Sequence, residues 1–143
     1  MTPEDVATID NALKTMMRPA TEFTDSVARR ECAAMEQRFR DAVTEGDVFR
    51  GGFDSNSSND PGGAHSGYTS SEGQIHFDPG VLDAANAGDA GAIQAIAITA
   101  LHEVGHRIGF QHGDPTWDAL GRDYYTERPF SRMNPGENSC VER

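Results

Sequence analysis

Apolar residues recur at intervals of three and four over the first third of the chain. Val6, Ile9, Leu13, Met16 and Met17 share one helical face, and Pro19 stops the run. Thr2-Pro3-Glu4-Asp5 marks the start. It places a capping hydroxyl, a proline in the first turn and two acids at the positive end of the helix dipole. A second helix is predicted from about Thr24-Asp25, with Ala28, Cys32, Met35, Phe39 and Ala42 as its stripe and Gly46 as its end. Asp47 to Phe53 reads as a short strand. Asp54 to Ser71 is rich in Gly, Ser, Asn, Asp and Pro and reads as one long loop. Gln74 to Phe77 alternates polar and apolar, the mark of another short strand, and Asp78-Pro79 opens a short helix running to about Ala87. The clearest helix follows a cap at Asp89. Ile93, Ile96, Ala97, Ala100, Leu101, Val104 and Ile108 form its apolar face, and Gly109 is placed to end it in the left-handed conformation. Beyond Gly109 the pattern becomes irregular, and there is no internal repeat.

These elements predict one α+β domain over residues 1–143. Residues 1–46 form a helical backing segment. Residues 47–112 carry a small mixed sheet, the loop and the last helix, and residues 113–143 form an irregular C-terminal subdomain. Composition narrows the function. With 23 acidic against 12 basic residues the net charge is −11, which argues against a nucleic-acid partner. No apolar run reaches the roughly 20 residues that a membrane span needs. Two cysteines, Cys32 and Cys140, stand near opposite ends. They either close one disulfide, worth on the order of 4 kcal/mol, or remain two buried thiols; sequence separation does not decide between these.

The chemistry is concentrated in residues 102–112, H-E-V-G-H-R-I-G-F-Q-H. His102 and His106 are four apart on a predicted helix, so both imidazoles lie on one face, one turn from each other, able to grip one metal ion. Glu103 borders that face and can reach a metal-bound water without being a ligand. Gly109 allows a reversal that returns His112 as a third nitrogen. Three neutral imidazoles with an open position make the layout of a catalytic zinc. The chemistry that follows is hydrolysis, with Glu103 as general base.

The eleven residues resemble the zinc signature of the metzincin metallopeptidases. That resemblance implies His102, His106 and His112 as zinc ligands, Glu103 as the acid/base, and a zincin-like catalytic domain. Ser131-Arg132-Met133-Asn134-Pro135 is similar to the family's methionine turn, with Met133 as its methionine. A more local similarity links Pro61-Gly62-Gly63-Ala64-His65 and Gln74-Ile75-His76-Phe77-Asp78 to matrix metalloproteinases. It implies His65 and His76 as ligands of a second, structural zinc, with calcium held by neighbouring loop oxygens. The competing reading makes His65 a loop residue and His76 a strand residue facing the cleft. Asp54, Asn56, Asn59 and Asp60 do not fit the helix–loop–helix calcium pattern, and a solvated loop suits them better. Several metzincins carry a tyrosine two residues after the turn methionine; here that position is Pro135.

The expected function is therefore zinc-dependent endopeptidase activity. The expected partners are a protein or peptide substrate and a proteinaceous inhibitor. The substrate is expected to lie extended along a strand edge, at Gln74–Phe77 or in the stretch Gly62–Tyr68. Two alternatives remain: an amidase or peptidase acting on cell-wall peptides or as a delivered toxin effector, and a non-catalytic metal-binding interaction module. Without a visible signal or inhibitory segment, secretion or delivery outside the producing cell is expected.

Overall fold

The computed structural model describes residues 1–53, 66–109 and 140–141. These form four α-helices, one 3-10 turn and a three-stranded sheet, a mixed α+β arrangement. Helix α1 spans Pro3–Met16 and begins in a reciprocal cap. The Asp5 amide donates to Thr2 Oγ1 at 3.0 Å, and the Thr2 amide donates to Asp5 Oδ2 at 3.1 Å. After a 3-10 turn at Ala20–Glu22, α2 spans Ser26–Thr44, with Asp25 accepting from the amides of Val27 and Ala28. Strand β1 is Val48–Arg50, β2 Gly67–Thr69 and β3 Ile75–Phe77. Helix α3 spans Pro79–Asn86 and α4 Ala90–Arg107, capped by Asp78 and Asp89 respectively. Gly109 has φ of 108°, the left-handed geometry expected just past the helix.

The sheet order is β1-β3-β2, with β3 parallel to β1 and antiparallel to β2. Two expectations change here. Residues 67–69, assigned to the long loop, form a strand. And Gln74–Phe77 is no free edge, because β3 is central and hydrogen-bonded on both sides; among the described residues the edges are β1 and β2. The first strand is also shorter than the stretch Asp47 to Phe53.

Helix α4 is the hub, packing against α1, α2, α3, β2 and β3. Ile96, Ala97, Ala100, Leu101 and Val104 are fully buried in it, joined in the core by Leu13, Phe39, Ile75, Phe77 and Leu82. Burial on several sides explains why its face is less one-sided than those of α1 and α2. Phe39 of α2 meets Phe77 of β3 edge-on, with centroids 6.0 Å apart. Val6 and Ile108, expected on apolar faces, are 39% and 38% exposed at the ends of their stripes.

Asp5 is wholly buried, which its place in an acidic first turn did not suggest. Arg50 of β1 grips it with two bonds, Nε to Oδ2 at 3.0 Å and Nη2 to Oδ1 at 2.9 Å, and Asn86 of α3 donates at 2.9 Å. The Arg50 guanidinium holds the Asp5 carboxyl well below the usual carboxylate range, against the opposing effect of burial. One acid thus ties α1 to β1 and α3. The cysteines form a disulfide, with Cα atoms 5.4 Å apart across a separation of 108 residues. Beside it, the Arg18 amide donates to the Cys140 carbonyl at 2.8 Å, and Met17 bridges to Val141.

Candidate metal centre

The last two turns of α4 carry His102, Glu103 and His106. The Nε2 atoms of the two histidines lie 3.0 Å apart, and their rings meet edge-on with centroids at 4.5 Å. Helical spacing alone brings the rings to one face; the close approach of two donor nitrogens makes them candidate ligands for one point. Glu103 is 5% exposed. Its Oε2 lies 3.6 Å from His102 Nε2. Across His102, Glu103 and His106, one ligand atom from each lies within 4.8 Å of the others, the one such group among the described residues that could hold a metal ion. The donor set fits a divalent transition metal, since neutral imidazoles favour such ions over calcium or magnesium.

The other Glu103 oxygen is held by the sheet. Thr69 Oγ1, on β2, lies 2.9 Å from Glu103 Oε1 and 2.9 Å from the Glu103 carbonyl, with its hydroxyl hydrogen available to either acceptor. The carboxylate is therefore divided: Oε1 faces the strand and Oε2 the imidazoles. Burial pushes the Glu103 carboxyl up to about 7, opposed by the Thr69 hydrogen bond. A carboxyl poised near neutrality is suited to accepting and returning a proton.

β2 reaches α4 because position 67 is glycine. A Cβ there would lie 2.4 Å from Thr99 Cγ2 and 3.1 Å from Glu103 Cγ. Ser66 Oγ and Thr99 Oγ1, 2.6 Å apart, add a second tie. The C-terminal end of α4 is anchored by Arg107. Its Nη1 donates to Asp47 at 2.9 Å and to the Gly73 carbonyl at 2.7 Å, and its Nη2 to Glu45. A cation there also matches the negative pole of the helix.

Sequence reading did not find Ser66, Gly67, Thr69 or Arg107. A signal for the strand existed: Tyr68 and Thr69 favour strands, and only Ser70 to Gln74, with a left-handed Gly73, separates them from β3.

His76 stands elsewhere. Ile75 and Phe77 point into the core, so by strand alternation His76 occupies the opposite face of the sheet. There its Nδ1–H donates to the Gly51 carbonyl at 2.8 Å, and its ring stacks on Phe49 at 5.2 Å, with Tyr68 and Phe53 alongside. His65, His112 and Met133 lie outside the described residues, as do Asp54, Asn56, Asn59 and Asp60. No family model matches the chain, and no curated protein or solved structure is significantly similar to it.

Proposed function

We propose that this chain is a zinc-dependent endopeptidase of the metzincin type, with His102, His106 and His112 holding the ion and Glu103 as its acid/base. The observation that carries this reading is the divided carboxylate of Glu103. It is buried on the ligand-bearing turns of α4, with one oxygen fixed by Thr69 and the other 3.6 Å from His102 Nε2. A buried acid in that position has a proton-transfer role open to it that a merely structural metal site would not need.

A zinc ion bound there would supply a Lewis acid for the scissile carbonyl and acidify its bound water toward neutrality. Glu103 Oε2 accepts the proton of the attacking water, and the protonated carboxyl then delivers it to the leaving amine as the C–N bond breaks. The Thr69 hydroxyl, shared between Oε1 and the Glu103 carbonyl, favours the proton on the oxygen nearest the imidazoles. An extended peptide would lie along the outer edge of β2, pairing by backbone hydrogen bonds beside Glu103. In this reading Met133 forms the methionine turn and the finer fold is zincin-like. The Cys32–Cys140 disulfide supports action in an oxidising compartment, outside the producing cell.

The test is Glu103→Ala assayed on a quenched fluorescent peptide library, with zinc content measured in parallel. The variant keeps fold and zinc and loses turnover by about 10² to 10⁴-fold. Hydrolysis at the wild-type rate, or wild-type turnover that survives full chelation of the metal, overturns the reading.

A further inference from the structure

Glu103 has two roles open to it. Its carboxylate lies close enough to His102 and His106 to complete a three-ligand metal group, yet hydrolysis requires it to stay off the metal and act as a base. On α4 itself His102 and His106 flank it on the metal-facing turns. The restraint comes from another element, the hydroxyl of Thr69 on β2, 2.9 Å from Oε1. The same hydroxyl lies 2.9 Å from the Glu103 main-chain carbonyl, so it follows the helix backbone as well as the side chain. The strand carrying Thr69 is pinned to α4 by the Ser66–Thr99 contact and by the close approach that Gly67 permits.

We propose that Thr69 is a positioning residue that decides the role of Glu103: by holding Oε1 it denies the metal that oxygen, so the carboxylate cannot close on the ion through both oxygens and Oε2 is left available as a base. The inference rests on the metal site proposed above, but its primary readout is metal affinity and not turnover. Removing the hydroxyl frees a buried carboxylate beside two imidazoles. A buried acceptor without its donor seeks another partner, and the bound cation is the nearest one.

The experiment is a zinc titration of the full chain against a chromophoric chelator at fixed pH. It compares wild type, Thr69→Val, Thr69→Ser, Glu103→Gln and the double variant Thr69→Val/Glu103→Gln. Valine preserves shape and strand preference and exchanges the hydroxyl for a methyl group. Thr69→Val is expected to bind zinc about tenfold more tightly than wild type, the scale on which groups beside a metal site tune affinity. Thr69→Ser restores the wild-type value. The double variant loses the tightening, because the amide is a poor replacement for the carboxylate. If peptide hydrolysis is found, Thr69→Val lowers kcat with little change in KM, and serine rescues it. Zinc affinity in Thr69→Val that is unchanged or weaker, with an unaltered melting temperature, overturns the proposal. So does tightening that persists in the double variant. Should Thr69→Val fail to fold, Thr69→Ala carries the same comparison. If wild type binds zinc but hydrolyses nothing, the peptidase reading fails while the affinity series still decides the role of Thr69.

Discussion

Gly67 on β2 and Thr99 on α4 are packed so closely that a single Cβ at position 67 would fall 2.4 Å from Thr99 Cγ2. The same Cβ would come within 3.1 Å of Glu103 Cγ and 3.2 Å of the His76 carbonyl, so it has no free direction. Gly67→Ala is expected to push β2 off α4 and destabilise the fold by about 1 to 3 kcal/mol, the usual cost of overpacking. The Thr69–Glu103 hydrogen bond should suffer with it. Urea denaturation checks the first effect; a midpoint equal to wild type would contradict this packing.

The Asp5–Arg50 pair makes acid stability depend on one buried carboxylate. The proton affinity of Asp5 is lower in the fold than in the unfolded chain, so its contribution is complete above the ordinary Asp value of about 4. It is lost as pH falls below that value toward the depressed folded one. Arg50 is part-exposed and keeps Asp83 as a second partner, so losing the Asp5 charge costs about 1 to 3 kcal/mol. Asp5→Asn is therefore expected to be much less stable than wild type at pH 7, with the gap narrowing between pH 4 and pH 2. Denaturant midpoints across that range test it, and a gap independent of pH would refute the linkage.

The Cys32–Cys140 disulfide closes most of the chain. In the loop-entropy account a ring of about 100 residues adds about 4 to 5 kcal/mol by restricting the unfolded state. Reduced wild type and Cys32→Ser/Cys140→Ser should share one lowered denaturation midpoint. Residual structure in the unfolded chain would shrink the effect without removing it. An unchanged midpoint on reduction would show that the bond contributes nothing.

Metal binding should respond to acid through its ligands. Imidazole coordinates only when neutral, so bound zinc is expected to fall as pH drops below the free-histidine value of about 6.5, with tight binding moving the loss lower. Zinc should also raise the melting temperature at pH 7, since it binds the folded state in preference. Equal zinc retention after dialysis at pH 7 and at pH 4 would exclude ligation by histidine.

Much of the helical frame was legible in the residues because its signals are local. Thr2, Asp25, Asp78 and Asp89 each cap a helix through bonds spanning two or three residues, and Gly109 takes the left-handed geometry just past α4. His102 and His106 share a face by helical spacing alone, so the heart of the candidate site could be read directly. Tertiary structure decided whatever depends on partners far apart in sequence. The three residues of β2 carry too little propensity to declare a strand; their stability comes from β3 and from α4. Asp5 reads as an exposed helix-start acid until Arg50, 45 residues away, meets it. Cys32 and Cys140 pair because α2 and the chain end converge, and Thr69 reaches Glu103 because a side-chain-free position lets a strand lie against a helix. Local order follows from short-range bonds and periodicity; placement of Glu103 against Thr69 follows from packing, which no single stretch of chain encodes.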